Sequence, residues 1–201
     1  MRVIVRTPYR MSFSTGGLFV NESVEIARLH EQGSDWAETI TRALIDGPTR
    51  LPKRDSNRRT VREIANRLSC LTDEEREYLT NSADRAEKQA LLWLATCRAY
   101  AFVRDFAIEV IQDRLSSHRS DLPLDVFDQY FDSKSEWDEN LAAISPTTRR
   151  KLRQVLFRIM REAGIINTVN TIQPTYLSSA LRTLIGKTTP NDFLVFPGLQ
   201  Q

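Results

Sequence analysis

Between Ser82 and Ser116 the chain has no glycine and no proline, and Leu, Trp, Ala and Phe recur at short intervals. A stretch with no breaker residue and so much apolar side chain predicts a helix that is buried over most of its circumference. Such a spine needs partners, so the shorter amphipathic segments on either side must pack around it, and the fold class is mainly α. Its most apolar part, Ala90 to Val103, is interrupted by Arg98 and followed by Arg104 and Asp105. That run falls short of the roughly 20 residues needed to cross a bilayer. The chain has 201 residues, 41% hydrophobic and 27% charged, which suits one large globular domain or two small ones.

The remaining segments read as follows. Val3–Val5 can form a short strand, and the two glycines of Ser14–Phe19 form a turn. Asn21 caps a helix with Val24, Ala27 and His30 on one side, and Ser34 or Asp35 caps another that Gly47 ends. The spacing of Val61, Ile64, Ala65 and Leu68 predicts a helix over 57–69, and Thr72 with Glu75 matches a capping box. The polar stretch Ser116–Pro123 is the best linker, dividing a helical domain at 1–118 from a smaller one at 119–201. In the second part Ser145 can cap a helix whose first residue is Pro146. Ile165, Ile166, Val169 and Ile172 then suggest a short hairpin or wing. A last helix is expected over 175–185, and the apolar "FLVF" near the end suits an added strand or a docking tail.

Charge is unevenly distributed. The whole chain nets only +2, yet Arg50 to Leu68 holds seven basic and two acidic residues, and Ser145 to Glu162 holds six and one. Asp121 to Asn140 holds seven acidic residues and one lysine. Such segregation favours a polyanion at the basic blocks, or pairing between the blocks. On the Ser145 helix, Leu152, Val155, Leu156, Ile159, Met160 and Ala163 fall in one sector. Arg150, Gln154 and Arg161 point away from it, Arg153 and Arg158 flank them, and Phe157 also falls on the outer side. Arg149, Arg150 and Lys151 occupy the first turn, where a positive charge opposes the helix dipole and a docked phosphate relieves the conflict. A short helix, a turn, a basic amphipathic helix and a wing is the order of a winged helix-turn-helix. The candidate nucleic-acid contacts are therefore Arg149, Arg150, Lys151, Arg153 and Gln154 from this helix. Lys53, Arg54, Arg58, Arg59 and Arg62 from the earlier block join them. Arginine–phosphate contacts carry the affinity in this reading, and Gln154 is the polar group best placed for a base edge. Two other readings stay open: an adaptor whose basic faces dock on acidic proteins, and an RNA-binding module.

Catalysis has little support. His30 and His118 lie outside any metal-like spacing, and Cys70 and Cys97 are not in a C-x-x-C pair. The glycine pair lacks the Gly-Lys-Ser/Thr ending of a phosphate loop, and the acidic block lacks the glycine of a calcium loop. No enzymatic activity, cofactor, metal or small-molecule substrate is expected. Without a signal peptide or a membrane span, the chain reads as a soluble cytoplasmic protein.

Several segments occur in the order found in one known family. They are "SFSTGGLFVNESVEIARL", "DW" at Asp35–Trp36, "NRRTVREIANRLSCL", "EKQALLWLATCRAYAFVRDFAIEVI", "SPTTRRKLRQVLFRIMREAGII" and "IQPTYL". Over about residues 12 to 185 the chain resembles BrxA, a small protein of BREX bacteriophage-defence systems. The resemblance implies a helical, non-enzymatic protein that binds double-stranded DNA and works beside other BREX proteins. It also implies an N-terminal part similar in shape to the antitermination factor NusB. It assigns no catalytic residue, and the first ten residues and the tail after Gly186 lie outside it.

Overall fold

The computed structural model describes residues 8–47 and 54–199. The Val3–Val5 strand and Lys53 therefore lie outside the described residues. The apolar stretch predicted as one spine is two helices. α5 (Arg85–Ala99) opens on a capping box in which Asp84 and Glu87 exchange backbone hydrogen bonds, both 2.9 Å. It ends at Tyr100, whose backbone is extended (φ −132°, ψ 100°). Neither glycine nor proline causes this break. The Tyr100 side chain is wholly buried and its hydroxyl donates to Glu63 at 2.6 Å, so the extended residue turns the ring toward a buried carboxylate. The chain continues as α6 (Ala101–Phe106), a π turn (Ala107–Gln112) and α7 (Asp113–Ser116).

α5 is the centre of the packing. Against it lie α1 (Val20–Leu29), α3 (Arg54–Leu68), α4 (Asp73–Asn81) and α10 (Pro146–Glu162), while α2 (Trp36–Asp46) packs on α1 and α3. α3 buries the predicted face of Val61, Ile64, Ala65 and Leu68. Its start is earlier than the predicted Asn57. α2 is capped by Asp35 and ends at Gly47, whose φ of 64° suits a residue without a Cβ. α1 departs from the expectation at its start: Phe19, with φ 56°, precedes the helix and Asn21 lies inside it. The Thr72–Glu75 capping box opens α4.

Beyond α7 the segment 116–123 is held in place. Leu122 is buried, its amide donates to Asn170 O at 2.8 Å, and Ile172 N donates to Ser120 O at 2.7 Å. Single antiparallel bridges join Asp121 to Thr171 and Ile166 to Ile172, and these supply the extended pairing among the described residues. α8 (Leu124–Ser135) puts Phe127, Tyr130 and Phe131 against Phe102 and Phe106, with ring centroids 5.3–6.2 Å apart. Buried side chains from both halves belong to one contiguous cluster. α9 (Glu139–Ala142) precedes α10, and α11 (Ser179–Thr188) starts four residues after the predicted Thr175, with Ser178 as its cap.

The apolar tail docks on the molecule itself as a 3-10 turn (Pro190–Val195), not as a strand. Trp93 Nε1 donates to Val195 O at 2.8 Å. Gln112, projected from the π turn, donates to Leu194 O and Phe196 O at 3.1 and 2.7 Å. Arg98 bridges Glu75 of α4 to Asp192 of the tail, at 2.6 and 2.8 Å.

Candidate nucleic-acid interface

α10 has the cap and the first residue that its sequence predicts. Ser145 Oγ accepts from Thr148 N at 3.3 Å, and Pro146 fills the first position, where no amide donor is needed. Leu152, Val155, Leu156, Ile159 and Met160 are buried as expected. Phe157 is buried too, contrary to its place on the outer side of the helical wheel, because α10 packs on α8 as well as on α5.

The charged side of α10 divides into two ends. Near the N-terminus Arg149 is clamped by α8. Its Nε lies 2.9 Å from Asp128 Oδ1, its Nη1 lies 2.5 Å from Asp132 Oδ1, and its guanidinium sits 4.6 Å from the Phe131 ring centroid. Arg153 also pairs with Asp128. The hydrogen bonds from Arg149 hold the Asp132 carboxyl below its ordinary value, and the same contact raises Arg149. These two arginines are partly neutralised by the acidic block. Arg150, Lys151 and Gln154 are exposed and form no ion pair among the described residues.

Farther along, the helix borders a hollow of about 400 Å³. Arg150, Arg153, Arg158 and Arg161 surround it, with Gln154, Leu124 and Phe157 completing the lining, and no carboxylate faces it. Arg158 and Arg161 were placed on the outer side by the helical wheel but were not among the predicted contacts. Their spacing from Arg150 and Gln154 was the available signal, since steps of three, four and seven share one helix face.

In α3, Arg58, Arg59 and Arg62 are exposed, and Arg59 Nε donates to Asp55 O at 3.3 Å. The Arg54 side chain lies outside the described residues. Arg67 is the exception in this block. It is buried, pairs with Glu63 at 2.7 Å and donates to Gly17 O at 2.8 Å.

The sequence model of the BrxA family matches residues 7–189. The chain belongs to the BrxA family. A curated relative from Paramagnetospirillum magneticum, named BREX protein BrxA, is 26% identical over 165 residues and covers 81% of each chain. The crystal structure of an uncharacterized protein from Magnetospirillum magneticum superposes with a TM-score of 0.78 at 22% identity, over 94% of this chain and 96% of that one. That likeness supports the mainly helical fold. The BrxA match extends from Thr7 to Thr189, so it takes in the basic face of α10 and the α8 carboxylates as well as α3.

No metal-binding group of three or more His, Cys, Asp or Glu exists among the described residues. Cys70 and Cys97 are free thiols, and burial pushes both up in pKa. His30 stacks on Trp36 with ring centroids 3.8 Å apart and shares a 2.7 Å hydrogen bond with Thr39, which accounts for its position without a ligand. Burial and the nearby Arg76 lower its pKa. His118 is exposed at a turn. No described helix is long and apolar enough to cross a membrane.

Proposed function

We propose that this chain is a non-catalytic duplex DNA-binding protein that serves a BREX phage-defence system in the cytoplasm. Membership of the BrxA family supports the defence role. The observation that carries the DNA reading is the hollow on α10, where four arginines and a glutamine converge and no carboxylate lines the wall, although Arg153 and Arg158 also pair with Asp128 and Glu162 outside it. Arg58, Arg59 and Arg62 of α3 offer a second set of unneutralised cations. Lys53 and Arg54 continue that block in sequence. In this reading α9, the turn before Ser145 and α10 have the order of a helix-turn-helix, in a C-terminal unit that follows a NusB-like helical unit ending near His118. Guanidinium–phosphate contacts dominate, so sequence preference is weak.

A mobility shift on a mixed-sequence duplex across a salt series tests this. If about 5–8 phosphates are neutralised, log K falls with log salt at a slope near −5 to −7. Reversing Arg58 and Arg59 to Glu measures the share of α3. A flat salt response, or structured RNA outcompeting the duplex, would overturn the proposal.

A further inference from the structure

The hollow on α10 does not end at Arg161. Arg158 and Arg161 also form one wall of a second, larger cleft of about 850 Å³. Its opposite walls are the start of α1 and the first turns of α5, which contribute Arg85 and Lys88. Four cations from two helices face this cleft against two carboxylates, Glu22 and Glu162. Glu162 is already engaged, because it accepts from Leu18 N at 2.5 Å and from Arg158 Nε at 2.7 Å. Arg85 and Lys88 form no ion pair among the described residues, and both stand where the α5 dipole disfavours a cation. Neither was legible as part of a site from the sequence, since α5 and α10 are brought together only by the fold.

Because the two hollows share Arg158 and Arg161, the cations that line them form one track. From Arg150 to Arg161 it extends ~16 Å along the helix axis. At the opposite end of α10 the carboxylates of Asp128 and Asp132 face the helix and repel a phosphate.

Resting on the duplex-binding reading, we infer that one DNA strand follows α10 from Arg150 toward its C-terminus and enters the α1–α5–α10 cleft, where Arg85 and Lys88 hold its phosphates. The backbone lies along the helix, and the N-terminal turn of α10 does not enter a groove end-on. Weak sequence preference follows from this geometry.

The test compares the full chain with R85E/K88E, R85Q/K88Q and an off-track control, R28E/R42E, on a 20-base-pair mixed-sequence duplex at several salt concentrations. R85E/K88E is expected to weaken binding about tenfold or more, and R85Q/K88Q to weaken it less while flattening the salt slope by about two. The control is expected to change affinity less than about threefold, as screening makes distant charges weak. Unchanged circular dichroism and melting confirm that the variants fold. Wild-type affinity and slope in both cleft variants, or an equal loss in the control, overturns the cleft assignment while duplex binding stands. No shift with the unmodified chain at any salt overturns the duplex reading itself.

Discussion

α3 and α10 are both amphipathic helices from blocks of the same net charge, and they neutralise their arginines differently. α3 draws one inward near its C-terminus: Arg67 is buried between Glu63 and Gly17 O, and Tyr100 donates to the same carboxylate at 2.6 Å. α10 engages its arginines near its N-terminus and at the surface, where Arg149 and Arg153 meet Asp128 and Asp132. In α3 the arginines without a carboxylate partner, Arg58, Arg59 and Arg62, stand in the first half of the helix; in α10 they are Arg150 near its start and Arg161 at its end, since Arg158 pairs with Glu162. A count of positive charge therefore does not locate a polyanion site. The carboxylates decide it, and they come from the same helix turn in one case and from another helix in the other.

Stability should separate the two most sharply. Arg67→Ala leaves Glu63 buried without its counter-ion and is expected to lower stability by about 3–5 kcal/mol in urea unfolding, whereas Arg149→Ala costs about 1 kcal/mol or less. Equal losses would break the distinction between an interior and a surface pair. A smaller effect sharpens it from the other side. Asp128→Asn with Asp132→Asn releases Arg149 and Arg153, so duplex affinity should rise about threefold to tenfold and the salt slope steepen by about two. Unchanged affinity would make those arginines purely structural. The smallest effect is that of pH. Asp132 is held below the ordinary carboxylate value by Arg149, so its folded value lies below its unfolded one. Its contribution is present above about pH 4 and fades as pH falls through the folded value. A side-chain NMR titration should find the Asp132 midpoint low, and Arg149→Met should return it toward the ordinary value.

Local chemistry was readable in the sequence residue by residue, and cross-helix chemistry only as a pairing of charged blocks. Gly47, Ser145, Pro146 and the Thr72–Glu75 box each set a boundary through neighbours within a few residues, and each is where it was expected. The break at Tyr100 was invisible, because its cause is a carboxylate on α3 and not a breaker residue. Phe157 was misplaced because the helical wheel assumes one buried face, and α10 has neighbours on two sides. The same division holds for the site. The exposed arginines of α3 and α10 follow from spacing, and the charge segregation already left pairing of the acidic with the basic block open; which residues form the α8 clamp, 17–25 positions apart in sequence, is set by the fold. The cleft with Arg85 and Lys88 unites still more distant parts of the chain.

The grip of Trp93, Arg98 and Gln112 on the tail has a consequence for biosynthesis. The middle of the spine waits for a partner about a hundred positions later, at 192–196. While that partner is still inside the ribosome, the indole of Trp93 and the guanidinium of Arg98 lack their final contacts. The nascent chain then holds an unfinished interior until residues 192–196 have left the exit tunnel.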